Sequence, residues 1–435
     1  MSRPPSKIRI LFLSTHEWSD LWRRRQRLAH ELALRPEVAS VLYVNPPVIS
    51  SVLDVLRRRF APSHLGDSRR AHLDAIVGRP RQVADRVWTY TGSQKTLPLT
   101  KNEAIRRLKP LNAFNAATYV GRMCACLNRL PGDQLMVYLS HPLHTFALDA
   151  FKSRVLSCYD WTDDWTQFEL IPLADRDEYT RLSERLPSQV DVVFAVSRDL
   201  VQRARQMNSN VYWMPNATSL PGMLDNPHTP DAELESIRPP RLGYVGQIGD
   251  RIDFALLRKI AEARPDWSIV MIGPVWSNRI AEAEGLGRLP NVHFAGLRPY
   301  ASLPGVVGQL DVCLIPHTLD ALTVSMDPIK LYDYLATGKP IVTTPVAGVD
   351  RFADAIYIAD SHDAFIAQIG AALVEKGDTL SDRRRAYGRD NSWSARAGQV
   401  WQALQEVLDI KSRPGRLPNR EDAVGERLMI GTSPK

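Results

Sequence analysis

Two short passages hold much of the chemistry in this 435-residue chain. In Tyr159-Asp160-Trp161-Thr162-Asp163-Asp164-Trp165, three carboxylates fall within five residues. Crowded carboxylates raise one another's pKa, so this group can take a hydroxyl proton as general base, hold a polar ligand or line a helix N-terminus. The second passage is Asp327-Pro328-Ile329-Lys330-Leu331-Tyr332-Asp333-Tyr334. Here Asp327 can cap a helix with Pro328 at its first position, and Gly338 supplies the stop. Lys330, Asp333 and Tyr334 then stand at i, i+3 and i+4 on one face. A cation in a first helical turn opposes the helix dipole unless an anion lies between them, so Lys330 suggests a phosphate.

Other candidates sit in loops that follow short apolar runs. Gly246-Gln247-Ile248-Gly249 ends one such run, and glycines at a strand-to-helix turn let backbone N–H groups approach a phosphate. Gly273 and the Arg298-Pro299-Tyr300 turn occupy equivalent places, as do His16 in Ser14-Thr15-His16-Glu17 and His141 in Ser140-His141-Pro142.

The elements that must position these residues are β-branched runs alternating with amphipathic stretches, the pattern of βα units around parallel sheets. Strand candidates in the first half are Ile8 to Leu13, Val41 to Val44, Val87 to Thr91, Leu135 to Leu139, Val155 to Tyr159, Asp191 to Val196 and Val211 to Met214. A Pro- and acid-rich passage interrupts them, and the rhythm restarts at Arg241. The expected class is α/β, with two Rossmann-like doubly wound domains facing across a cleft. The expected division is an N-terminal domain over 1–220, a linker over 221–240, a second domain over 241–390, a terminal helix over 391–410 able to pack back on the first domain, and a disordered tail over 411–435. Doubly wound sheets bind ligands at their strand carboxyl ends, which places the site between the halves.

Composition narrows the classes. With 44% hydrophobic and 24% charged residues the chain reads as globular, and no apolar run reaches the ~20 residues of a membrane-spanning helix. The opening Ser6-to-Leu13 run is charged and too short for a signal segment, so a cytoplasmic location is expected. Four cysteines in such a length are no disulfide framework, and Cys124-x-Cys126 lacks the second pair of a zinc site. Residues 1–110 hold 21 Lys and Arg against 9 Asp and Glu, a net +12 within a chain of net +7. That field points toward an anionic membrane surface or a polyanionic substrate. The apolar-then-basic stretch from Val48 to Phe60, with Arg57-Arg58-Arg59, suits the interface of an anionic bilayer. Basic residues without an aromatic platform make nucleic acid the weakest partner.

From about Pro240 to Val349 the chain resembles the nucleotide-sugar-binding domain of GT-B fold glycosyltransferases, the group 1-like bacterial cell-surface polysaccharide type. The resemblance rests on Tyr244-Val245-Gly246-x-Ile248, on Gly296 to Ile315, and above all on Asp327-Pro-x-Lys-Leu-Tyr-Asp-Tyr-Leu-Ala-x-Gly-Lys-Pro340. It implies a transfer of a sugar, of hexosyltransferase type, from a UDP- or GDP-linked donor to a polysaccharide or polyprenyl-linked acceptor. Asp333 then holds the donor ribose and Lys330 neutralises the diphosphate. Gly246, Gly249, Thr323 and Ser325 surround that diphosphate, and Gly273, Arg298 and Tyr300 flank the base. In the other half, Asp163, Asp164 and His141 are the catalytic candidates, with His16 and Asp160 placed toward the acceptor. No cofactor and no essential metal are expected, because Lys330 and helix termini can offset the diphosphate charge. One departure stands out: the first position of the paired-glutamate motif of many retaining members is Ser325 here. A nucleotide-sugar epimerase of the same fold, or a non-catalytic nucleotide-sugar-binding partner, are the alternative readings.

Overall fold

The computed structural model describes residues 7–18, 22–50, 74, 78–95, 109–165, 173–224 and 229–412. Most of the basic Val48-to-Phe60 stretch and the expected tail therefore lie outside the described residues. In the first half the strands are β1 (Ile8–Leu13), β2 (Val38–Ser50), β3 (Arg81–Ala84), β4 (Val87–Lys95), β5 (Gln134–Leu139), β6 (Leu156–Trp161), β7 (Val192–Ala195) and β8 (Val211–Trp213). They form one sheet in the order β3-β4-β2-β1-β5-β6-β7-β8, parallel except for the β3/β4 edge. The second half adds β9 (Arg241–Val245), β10 (Ser268–Ile272), β11 (Val292–Gly296), β12 (Val312–Ile315), β13 (Ile341–Thr343) and β14 (Tyr357–Ile358), in the parallel order β11-β10-β9-β12-β13-β14.

Helices of eight residues or more, among the described residues, are α1 (Arg24–Ala33), α2 (Lys109–Leu127), α3 (Leu173–Gln189), α4 (Arg198–Arg205), α5 (Phe254–Ala263), α6 (Ile329–Thr337), α7 (His362–Leu373), α8 (Thr379–Asp390) and α9 (Trp393–Ser412). The strands explain the layering. In β1, Ile8, Ile10 and Phe12 enter one apolar cluster while Leu11 and Leu13 enter another on the opposite face. A strand apolar on both faces must be covered on both, which is why these runs read as continuous rather than alternating. The sheet of the second half is sandwiched in the same way, with Val270 and Ile272 on one side and Ile269 and Met271 on the other.

The last helix returns to the first half. Trp393, Ala397, Val400, Trp401, Leu404 and Val407 of α9 are buried in the same cluster as Leu28 and Leu32 of α1. Fully burying such side chains stabilises by about 1.5–3 kcal/mol each before entropy is charged against it. The chain thus crosses between halves twice, and the crossings are bonded together: Thr218 N donates to Asn391 O (3.0 Å) and Trp393 N to Thr218 O (3.0 Å).

Each sheet reverses its winding beside its first strand, at β1/β5 and at β9/β12, and a crevice opens at the carboxyl ends there. His16 and His141 follow the strands of the first switch point, while the Gly246 turn and His317 follow those of the second.

Candidate functional site

On the side of the second half, Lys330 is the second residue of α6, and Asp333 lies three residues further along. Helix α6 begins at Ile329 with Pro328 as its N-cap, so Asp327 is not the cap that its spacing predicts. Asp327 instead accepts from Asn216 N (2.6 Å), Tyr332 Oη (2.7 Å) and Arg351 Nη2 (3.0 Å). Lys330 leans over the Tyr244 ring, its Nζ 3.4 Å from His317 Nε2. A Cβ on Gly246, whose φ is +143°, would meet Lys330 Cε at 3.1 Å, so the glycine leaves the ammonium room beside the turn. Burial, with Arg251 nearby, lowers the Lys330 pKa to about 7 against the opposing pull of Asp333. Burial raises that of Asp333 to about 6, although Thr218 Oγ1 (2.6 Å) and Tyr300 Oη (3.1 Å) both donate to its Oδ1. Both shifts favour the neutral forms, as expected where charges are held out of water for a ligand to satisfy.

Several residues expected around the donor have other partners. Gly249 packs on Trp276, whose ring lies 2.6 Å from where a Cβ would stand. Gly273 faces Gly246 O at 2.0 Å by the same construction, so it backs the Gly246 turn. Arg298 is tied by ion pairs to Asp231 and Glu233, in the segment leading to β9, which removes it from the donor. Tyr300 is beside Asp333, to which its hydroxyl donates. Thr323 is buried in a capping box with Asp320, and Ser325 is buried as well, so the loop expected around the diphosphate is a short helix, Ala321–Val324. Gly246, Lys330, Asp333 and Tyr300 remain together. A hollow lined by Pro240, Asp311, Lys339 and Arg385 opens at the opposite, amino ends of these strands and includes none of them.

On the side of the first half, the three carboxylates part company. Asp160 is fully buried, and both its oxygens accept from Arg24 (Nη2 2.7 Å, Nε 2.9 Å). It cannot receive an acceptor: in β6 it shares a face with Leu156 and Cys158 beneath α1, and its partner arrives from that helix. Asp164 is nearly buried against Arg203 Nη1 (2.9 Å) of α4, within the first half. Asp163 reaches across the cleft to Arg251 Nη2 (2.8 Å) of the loop after β9, while its Oδ2 accepts from Thr162 Oγ1 (3.0 Å).

Both histidines are buried beside arginines. His141 is 5% exposed, its Nδ1 accepts from Leu143 N (3.1 Å) as a short-helix cap, and burial with His144 and Arg25 pushes its pKa to about 2. Its catalytic expectation is corrected on that ground. His16 is held well below the ordinary imidazole range by burial, Arg25 and Arg23.

Residues that sequence reasoning passed over complete the site. Arg23, Arg25, Arg27, Arg251 and His317 all line or adjoin the space between Lys330 and Asp163, and Arg27 lies over the Tyr300 ring at 4.6 Å. The signal was available in Arg23-Arg24-Arg25-Gln26-Arg27, cations stacked at the N-terminus of α1, against its dipole, as Lys330 is in α6. Among the described residues no group of three or more His, Cys, Asp or Glu is arranged to hold a metal, and no helix is long and apolar enough to cross a membrane.

Comparison with known proteins adds four findings. Residues 239–375 match the family model of glycosyl transferases group 1. Over 420 residues the chain is 24% identical to TuaH of Bacillus subtilis (strain 168), a teichuronic acid biosynthesis glycosyltransferase by its designation, covering 90% of this chain and 95% of that one. Among solved structures it is similar to sucrose-phosphate synthase from Thermosynechococcus elongatus (TM-score 0.65, 15% identity, 93% of this chain and 99% of that one). It is also similar to Anabaena HepE in complex with UDP and glucose (TM-score 0.59, 14% identity, 92% and 99%).

Proposed function

We propose that this chain, whose second half matches the group 1 glycosyl transferase model and whose fold is that of GT-B enzymes, is a glycosyltransferase that moves a sugar from a nucleoside-diphosphate donor to a cell-surface polysaccharide or lipid-linked oligosaccharide acceptor. The observation that carries the reading is the group around α6. Lys330 in its first turn faces the Gly246 turn, and Asp333 lies one turn on, its Oδ1 held by Thr218 and Tyr300. Cation, backbone turn and carboxylate thus succeed one another in the order diphosphate, ribose. Anabaena HepE is found in complex with UDP and glucose, and TuaH is designated a teichuronic acid biosynthesis glycosyltransferase, which supports this donor and acceptor class. The basic first quarter suits an acceptor presented at an anionic membrane surface.

Transfer needs the leaving diphosphate stabilised and the acceptor hydroxyl deprotonated. Lys330 and the α6 N-terminus meet the first need, with Arg251 at the edge of the space. Asp163 is the assigned base, because it is the carboxylate of its trio that reaches into the cleft, whereas Asp160 and Asp164 are held inside the first half. Lys330, the dipole of α6 and the turn supply the positive charge without a metal, and no resident cofactor enters this scheme.

The deciding experiment is thermal unfolding with UDP, GDP and their sugars, followed by transfer to a membrane-derived acceptor fraction. A ligand at 100 times its Kd adds about 2.7 kcal/mol, so one nucleotide should raise Tm clearly. Asp163→Asn should then cost about 10²–10⁴-fold in transfer while donor binding persists. A protein that shifts with no nucleotide would sink the reading. One that isomerises the donor without transferring it would be an epimerase.

A further inference from the structure

Arg23 and Arg25 grip one imidazole from both sides. Arg25 Nη1 lies 2.6 Å from His16 Nδ1, and Arg23 Nη1 lies 2.8 Å from His16 Nε2. A guanidinium nitrogen only donates, and a neutral imidazole offers one acceptor nitrogen. One of the two contacts is therefore a hydrogen bond and the other sets N–H against N–H. The remaining contacts do not supply a negative charge. Arg25 Nη2 reaches Ser140 O (3.4 Å) and Thr162 Oγ1 (3.2 Å), its guanidinium lies over the Trp165 ring, and its buried Nε has no partner. Arg25 is only 5% exposed. Among the described residues no carboxylate forms an ion pair with Arg23 or Arg25, whereas Arg24 between them has Asp160 to itself. Burial and the neighbouring charges of Arg25 and Arg251 bring even the Arg23 guanidinium down to about 10.

The place of this unneutralised pair matters. It stands at the switch point of the first sheet, on the acceptor side. It is joined to the assigned base through Arg25–Thr162–Asp163, and the charge of Arg251 acts on both Arg23 and Lys330. The donor diphosphate already has Lys330, the Gly246 turn and the α6 N-terminus.

We propose that the acceptor carries an anionic group, phosphoryl or carboxylate, which seats between Arg23 and Arg25 and thereby brings a hydroxyl to Asp163. The proposal rests on the reading of the first half as the acceptor half. An anion there accepts from both guanidinium groups and relieves the opposed N–H groups at His16, a bidentate arrangement that arginine favours over lysine.

The test is calorimetric titration of the full chain, with and without saturating UDP, using glucose, glucose 6-phosphate and glucuronate. At least one charged sugar should bind tenfold or more tightly than glucose. Glucose 6-phosphate ahead identifies a phosphoryl group, and glucuronate ahead a carboxylate. Arg23→Gln, at a partly exposed position, should remove most of that preference while UDP affinity stays within about twofold. Arg25→Lys should lower it without abolishing it, because charge is kept and the fork is lost. Charged and neutral sugars binding alike would overturn the proposal. So would an Arg23→Gln variant that loses UDP affinity as fast as sugar affinity, since the pair would then serve the nucleotide. Failure of wild-type protein to bind any nucleotide is a separate result and strikes the donor reading alone.

Discussion

Arg24 and Arg25 are neighbours on one helix and have opposite fates. Arg24 forms a bidentate pair with Asp160 and donates to Pro215 O and Asn216 Oδ1, at the point where the chain leaves the first half. Asn216 continues the seam into the second half through Asp327, which Arg351 and Tyr332 also bind. Arg25, the next residue of the helix, and Arg23, its extended N-cap, meet at His16 instead, and among the described residues neither forms an ion pair with a carboxylate. The seam is saturated and the cleft is not. Buried charges with complete partners give position, and buried charges without them wait for a ligand.

Cutting the seam should do the most damage. Asp160→Asn strands the Arg24 cation, and the loss of one partner from a buried pair costs about 3–5 kcal/mol, to be read as a lower denaturant midpoint of unfolding. Replacing a cleft cation should do the reverse: Lys330→Ala should lose about 10²–10³-fold in turnover with the midpoint unchanged. A large stability loss from Lys330→Ala would erase the distinction between the two regions. The distinction sharpens with pH. Donor binding needs Lys330 protonated and Asp333 ionised, so affinity for a UDP-sugar should be greatest between about pH 6 and 7. It should fall by up to tenfold per pH unit above that window as Lys330 discharges, and below it as Asp333 takes a proton. Calorimetry across pH 5–9 checks this. The smallest effect concerns Asp333→Asn. A folded pKa raised above the unfolded value means that the ionised form costs stability, a cost absent below the unfolded pKa and complete above about 6. The variant should therefore melt a few degrees higher than wild type at pH 8, the gap should narrow by pH 5, and nucleotide binding should be lost.

The α/β class and the two facing sheets were legible because strands buried on both faces announce themselves as apolar runs. The edge strand Arg81–Ala84 was not, being short, polar and antiparallel. Lys330 and Asp333 could be paired from spacing alone, since both ride on one short helix. The fates of Asp160, Asp163 and Asp164 could not all be read so, because each was decided by an arginine from a different element: α1, the loop after β9, and α4. Even there the strand period held a clue, for Asp160 lies two residues from Cys158 on a face that must be covered. The run Arg23 to Arg27 marked a cationic helix start, but which of its arginines share an imidazole could not be read there, because His16 lies in the loop after β1.

The return of α9 to the first half also fixes an order of events during synthesis. The first sheet is complete once Trp213 has been made, but the apolar face around Leu28 and Leu32 lacks its cover until Val407 follows. At ribosomal rates that interval of nearly two hundred residues lasts on the order of 10–40 s. The second sheet, contiguous in sequence from Arg241 to Ile358, can close within it. The half made first is thus finished last, and a nascent chain halted before α9 would display the bare face of α1 to whatever holdase or neighbour was at hand.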